Sequence, residues 1–253
     1  MKVILWIIVL MIFSISVVTA QETILIMSDD YEPYTSSKKN GSGVILDIVR
    51  KAFATHDIIV KYKFAPWKRC EKIVKAGDAF GAIPYFKTQE RLRNFNFSDP
   101  IIYSFNTFFY NKEKFPNGFT WETLEDFQGY HMGGILGYWY MSAFERAGLT
   151  VDKVRSDKQS LGMLIAQRID FTVIDKLTGL QLLQKYFPDD KQVIGVLDKP
   201  ESFIKFYVMI SRTYPETAKY TDYLNHGLEH LKASGEYYRI LEQYQIPASF
   251  AVP

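Results

Sequence analysis

The segment His226-Gly227-Leu228-Glu229-His230 sets two imidazoles one helical turn apart with a carboxylate between them. In that H-x-x-E-H spacing, two histidines can bind one zinc ion while the glutamate acts as a base. The flanking residues favour a packed helix instead. Leu224, Leu228 and Leu231 recur at helical intervals, Gly227 suits a close packing contact, and no third ligand follows in the short tail. His56 and His131 show no ligand spacing. The chain has no G-x-S-x-G elbow, no phosphate-binding loop and no paired-cysteine motif. Glu122, Glu125 and Asp126 read as the solvated face of a short helix, and Asp189-Asp190-Lys191 as a turn. The single cysteine, Cys70, lies in a helical pattern over Trp67–Ala76 and reads as a buried thiol. These residues call for no metal, no cofactor and no enzymatic chemistry.

The first 20 residues have a different task. Lys2 supplies a positive start, residues 3–18 are apolar, and Val18-Thr19-Ala20 precede Gln21. This is the layout of a secretory signal cleaved after Ala20, and the apolar run is short for a membrane span of about 20 residues. The residue after the cut is not cysteine, so no lipid anchor is expected there. The mature chain of 233 residues (253 less 20) has no second long apolar stretch. Export from the cytoplasm follows. The formal charge is +2, or +1 once Lys2 is gone, with no basic stripe, so nucleic acid is not an expected partner. One cysteine cannot make an intrachain disulfide, so the fold must rest on its core. Aromatics make up 16% of the chain, enough both to fill a core and to line a pocket.

Strand and helix patterns alternate along the chain, with no internal repeat and no low-complexity linker. Strands are expected at 23–27, 58–64, 80–84 and 101–110. Helices are expected at 44–54, behind Gly41-Ser42-Gly43, and at 67–76, opened by Pro66. The alternation restarts with a short helix at 120–127 capped by Thr120. Strands follow at 130–135, 151–154, 170–174, 192–197 and 203–210, with helices at 138–147, 157–167, 176–186, 214–232 and 235–244. Such alternation implies an α/β fold with mostly parallel sheets. Two runs joined by two long strands imply two lobes, residues 21–110 plus 212–253 and residues 111–211, with a hinge and an interlobe cleft. Ligands of open α/β sheets bind beyond the carboxyl ends of the strands, which places a small-molecule site in that cleft.

Several segments resemble bacterial extracellular solute-binding proteins of family 3, the polar amino-acid binding components of ABC importers. Thr88-Gln89-Glu90-Arg91 with Asn96-Phe97-Ser98-Asp99-Pro100 is similar to the family's T-x-E-R … F-S-D-P stretch. Asp30-Tyr31-Glu32-Pro33-Tyr34, Gly43 to Asp47, Gly133 to Gly137, Ile169-Asp170 with Asp175, and Leu228 to Tyr244 match its other motifs in order, over residues 23–246.

The resemblance implies a type II periplasmic-binding-protein fold and a monomer that closes on a small carboxylate-bearing, amino-acid-like ligand. The membrane partner would be an ABC permease or a separate sensor, and some relatives are dehydratases. It further implies that Arg91 clamps a ligand carboxylate, Asp175 receives an ammonium, Tyr31 and Trp67 wall in the side chain, and Pro84 and Phe86 add contacts. Gly137, Tyr138 and Trp139 stand where many members carry Gly-Ser/Thr-Thr. The amides remain, but aromatics replace the hydroxyls, which implies a more apolar wall or a smaller cavity in the second lobe. The Pro84-Tyr85-Phe86-Lys87 loop is also bulkier and more basic than the family pattern.

Overall fold

The computed structural model describes residues 21–253 except 39–40, 136–137 and 139. The expected signal segment, residues 1–20, lies outside the described residues. Among these, no helix is long and apolar enough to cross a membrane.

Among the described residues, ten strands and eight α-helices alternate. In the first half, β1 (Thr23–Ser28), β2 (Ile59–Phe64) and β3 (Gly81–Tyr85) are joined through α1 (Val44–Ala54) and α2 (Trp67–Ala76). Next come α3 (Gln89–Asn94), the short β4 (Asn96–Phe97) and the long β5 (Ile102–Asn111). The second run is β6 (His131–Ile135), α4 (Met141–Arg146), β7 (Thr150–Val154), α5 (Asp157–Ile165), β8 (Phe171–Asp175), α6 (Lys176–Tyr186) and β9 (Ile194–Val196). Another long strand, β10 (Ser202–Ile210), and the helices α7 (Thr217–Ala233) and α8 (Glu236–Gln243) complete the fold.

The strand order is β2-β1-β3-β10-β5-β8-β6-β7, with β4 beside β10 and β9 beside β5. β2, β1 and β3 are parallel, and so are β8, β6 and β7. In the strand order the two parallel groups are joined through β5 and β10, which pair antiparallel from Asn106↔Ser202 to Ile102↔Phe206. This is a two-lobed α/β fold in which one antiparallel ribbon is the crossing. Ser104 lies on that ribbon and is fully buried.

Each lobe has its own core. Ile24, Ile26, Val49, Phe53 and Phe80 pack with Leu224, Leu228 and Ile240 in the first. Phe108, Phe127, Phe144 and Phe171 dominate one face of the second. Leu177, from α6 of the second lobe, packs into the core of the first, so the lobes touch at that helix. Gly227 on α7 meets α1: a Cβ there would stand 2.2 Å from the Ala52 carbonyl oxygen. His226, Glu229 and His230 are on the exposed side of α7. Among the described residues, no three His, Cys, Asp or Glu side chains gather as a metal site.

Cys70 is fully buried, its thiol directed at the Ser28 and Ala65 carbonyls, and burial pushes its pKa up to about 11. The thiol is therefore protonated and unreactive at neutral pH.

Local differences from the sequence expectation occur at element ends. The helix expected at 120–127 is a 3-10 turn over Leu124–Phe127, because the Asp126 carboxylate accepts the Glu122 and Thr123 amides and closes the turn there. The helix expected from 138 begins at Met141, and Pro66 is extended (ψ 143°), which makes it the cap before α2 rather than its first residue.

Candidate functional site

In a parallel sheet the loops after the strands gather at one edge. In the first lobe that edge carries the 29–35 loop after β1, Trp67 after β2, and Phe86 to Arg91 after β3. In the second it carries Tyr138 after β6, Asp157 after β7 and Asp175 at the end of β8. The two edges meet at the loop after β1.

That loop is folded on itself. The Tyr31 amide donates to the Thr35 carbonyl (2.9 Å), and the Tyr34 amide to the Tyr31 carbonyl (2.9 Å). Gly43, at φ +128°, caps α1 against it. A Cβ there would lie 2.5 Å from the Tyr34 carbonyl oxygen, so the close seating of the loop depends on glycine. The rings of Tyr31 and Tyr34 stack at 5.3 Å, with the edge of Phe206 against both.

The Asp175 carboxylate is buried at the junction. Its Oδ2 accepts from the Tyr34 hydroxyl (2.9 Å) and from the Ser104 hydroxyl (2.6 Å). Its Oδ1 accepts from the Thr178 amide (2.8 Å), the N-cap bond of α6. One side chain thus ties together the first lobe, the crossing ribbon and the second lobe. Two further contacts cross the junction, and a third holds Glu32 within its own loop. The Thr178 hydroxyl donates to the Glu32 carbonyl (3.2 Å), and Glu32 forms ion pairs with Lys185 (3.1 Å) and Lys38 (2.6 Å).

Burial raises the pKa of Asp175, opposed by the Ser104, Thr178 and Tyr34 donors. Asp157, the first residue of α5, feels burial and then the charge of Asp175, which push its pKa up to about 7. The phenols of Tyr31 and Tyr34 are raised well above their usual range, first by burial and then by Asp175. Tyr31 and Tyr138 both feel the charge of Asp157. No ion pair among the described residues involves Asp157 or Asp175.

The raised pKa of Asp157 fixes the sign of a pH effect. The folded state holds this proton more tightly than the unfolded chain, so its contribution is complete below the ordinary carboxylate pKa and is lost as pH rises towards about 7. Asp157→Asn should therefore melt with its parent at pH 4 and about 3 °C or more above it at pH 8. Equal melting temperatures across that range in calorimetry would count against the desolvated carboxylate.

Arg91 belongs to a second cluster. Its Nε and Nη2 donate to Glu71 Oε1 (3.1 and 2.9 Å), and its Nη1 donates to the Phe86 carbonyl (3.1 Å). The guanidinium lies 4.7 Å from the Tyr85 ring and 4.8 Å from the Phe86 ring. Thr88 caps the turn through the Arg91 amide. Trp67 meets Tyr85 edge-on at 5.6 Å, and the Tyr85 hydroxyl donates to the Trp67 carbonyl. Pro84 is buried inside β3, and Phe86 is 37% exposed. Lys68, Glu71, Phe86, Thr88 and Arg91 line a surface groove of about 410 Å³ between α2 and α3.

The structure therefore gathers Tyr31, Tyr138 and Asp175 at the junction, and Trp67, Pro84, Phe86 and Arg91 at the β3 end. No hydrogen bond or ion pair among the described residues joins Arg91 to the junction. Gly137 and Trp139 lie outside the described residues. Sequence reasoning missed Tyr34, Ser104, Thr178 and Asp157. An acid in the first turn of a helix that follows a strand at this edge was the available signal for Asp157. Nothing in the sequence marks Ser104, because its partner is 71 residues away.

The family described as bacterial extracellular solute-binding proteins, family 3, matches residues 24–247. A search of curated protein sequences gives no match. Among solved structures, the chain is similar to the L-cystine solute receptor of Neisseria gonorrhoeae in its unliganded open conformation (TM-score 0.67, 20% identity, 88% of this chain and 92% of that one). It is also similar to a histidine kinase sensor domain with similarity to periplasmic binding proteins (TM-score 0.68, 16% identity, 88% and 96%). A third is an ancestral amino acid-binding protein described as a precursor of cyclohexadienyl dehydratase (TM-score 0.65, 19% identity, 87% and 94%). At these identities the likeness is one of fold.

Proposed function

Because the chain belongs to the bacterial extracellular solute-binding proteins of family 3, we propose that it captures a small, amino-acid-like solute in the interlobe cleft by closing its lobes, and delivers it to an ABC importer from the periplasm. Residues 1–20 serve as the export signal in this reading. The lobes are residues 21–110 plus 212–253, and 111–211. One observation carries the proposal: the buried Asp175 carboxylate accepts hydrogen bonds from both lobes and from the crossing ribbon. The Tyr34 bond spans the lobes, so in this reading the state of this carboxylate is coupled to their arrangement. A ligand can drive closure only through its preference for the closed form.

Tyr31, Tyr138 and Asp175 form the junction side of the proposed site, with Gly137 and Trp139 in the adjoining loop. Trp67, Pro84, Phe86 and Arg91 form the other side. A ligand carboxylate would reach Arg91 by displacing Glu71. The likeness to a histidine kinase sensor domain supports a second reading, in which closure is reported to a membrane partner. Likeness to a dehydratase precursor supports a test for turnover, although that ancestor is itself described as a binder.

The test is a thermal-shift screen of the mature chain with amino acids, amines and small carboxylates. A ligand at a hundredfold excess over its Kd stabilises by about 2.7 kcal/mol, or roughly 5–10 °C for a chain of this size. No shift with any small solute would overturn the proposal. Consumption of a cyclic acid in the same screen would move it to the enzymatic reading.

A further inference from the structure

A cleft that clamps a zwitterion needs an unoccupied cation on one side and an unoccupied anion on the other. The charges here are arranged differently. Two of Arg91's N–H groups are bound to Glu71 and a third to the Phe86 carbonyl, and its planar guanidinium is held against the rings of Tyr85 and Phe86. A guanidinium paired in this way presents little net positive charge to a ligand. Across the cleft, Asp157 and Asp175 are two carboxylates without an ion-pair partner among the described residues. Lys176, next to Asp175 in the chain, forms no ion pair among the described residues, and two further lysines of the helices behind these carboxylates are engaged elsewhere. Lys158 stands over the Tyr186 ring at 3.9 Å, and Lys185 is bound to Glu32.

Asp175 is less suited to receive an ammonium, because donors of the chain already occupy three of its about four acceptor sites. Asp157 forms no ion pair among the described residues and is partly open to solvent. It opens the helix after β7, beside the end of β6 that Tyr138 follows, and its charge is felt by the phenols of Tyr31 and Tyr138, of which Tyr31 is stacked on Tyr34. Aromatic faces attract a cation, and more strongly when it is partly desolvated. A buried ammonium also needs a counter-charge, which Asp157 supplies directly and Asp175 reinforces.

We propose that Glu71 sets the charge preference of the cleft by occupying Arg91, and that the ligand is a small amine of net positive charge held between Asp157, Tyr31 and Tyr138. The inference rests on the reading of the cleft as a solute site, and replaces a carboxylate-led ligand with an amine-led one. Binding is linked to a proton. The groups facing Asp157 are Asp175 and the phenols of Tyr31, Tyr138 and Tyr140. The phenols stay neutral, so the arriving cation ionises Asp157 and a proton leaves near neutral pH.

Titration calorimetry of the mature chain tests this with 1,4-diaminobutane, L-glutamine and acetate, in pH 7 buffers of different ionisation enthalpy. The wild type should bind the diamine at least about tenfold more tightly than the other two, with proton release. Asp157→Asn should weaken the diamine about tenfold or more and abolish the proton release. Glu71→Gln should free Arg91 and strengthen L-glutamine several-fold while leaving the diamine nearly unchanged. Wild-type binding of L-glutamine or acetate as tight as that of the diamine would overturn the charge preference and leave the solute-binding proposal standing. Unchanged L-glutamine affinity in a folded Glu71→Gln would overturn the role of Glu71. Binding of none of the three would overturn the amine assignment, and an empty result in the wider thermal-shift screen would overturn the solute-binding reading itself.

Discussion

Asp175→Ala should lower the melting temperature by on the order of 10 °C and remove measurable solute binding together. The stability loss has two parts. Removing the N-cap of α6 costs about 1 kcal/mol. The larger part comes from the Tyr34 and Ser104 hydroxyls, which are both buried and lose their acceptor, at about 1–3 kcal/mol for groups left unsatisfied. A total of about 3 kcal/mol corresponds to roughly 6–12 °C for a chain of this length. The functional loss follows because the same carboxylate is where the two lobes and the ribbon meet. Asp175→Asn separates the effects. Its amide oxygen can still cap α6, and its NH2 can donate to the Tyr34 and Ser104 hydroxyl oxygens, so most of the stability should remain while amine affinity falls. Equal melting temperatures for Asp175→Ala and its parent in calorimetry would mean that the lobe junction does not depend on this group.

Gly227→Ala opposes two effects of known sign. Alanine is the better helix former by about 1 kcal/mol, so an exposed helical glycine would gain stability from the change. Position 227 is buried, and the new Cβ would stand 2.2 Å from the Ala52 carbonyl oxygen and 2.7 Å from its carbonyl carbon. Backbone cannot rotate away as a side chain can, so α1 and α7 must separate. Overpacking of this kind costs about 1–3 kcal/mol, and separation also loosens the Leu224 and Leu228 contacts. A net fall in melting temperature of a few degrees is expected for Gly227→Ala, and a much larger one for Gly227→Leu. A rise on Gly227→Ala, measured by thermal unfolding, would show that these helices do not approach as described.

Both predictions concern residues whose importance was only partly legible beforehand. Gly227 stood out because it interrupts an apolar stripe at helical spacing, and packing against a neighbouring helix is what such a glycine permits. The neighbour, α1, could not be read, because it is more than 170 residues away in the chain. Asp175 was visible as a ligand group through the family resemblance, and it also caps the helix at a strand-to-helix turn. The turn role is local and is present as the Thr178 bond. Its bonds to Tyr34 and Ser104 are not local, and no periodicity encodes them.

The sequence by itself determined what depends on neighbours within a few turns of chain. The alternation of strands and helices, the two runs, the buried Cys70 and the packed face of α7 all follow from local periodicity and burial. The family's motifs were legible for the same reason, since their order and spacing survive without coordinates. Only the tertiary structure decided which charges meet. Glu71 and Arg91 are 20 residues apart on different helices, and Tyr34 reaches Asp175 across 141 residues. Electrostatic partnership depends on distances of a few ångströms, and the sheet order brings those residues together, with β5 and β10 crossing between the lobes. That is why Arg91 read as a carboxylate clamp in the sequence, stands paired with Glu71 in the fold, and why Asp157 emerged only once the strand ends were aligned.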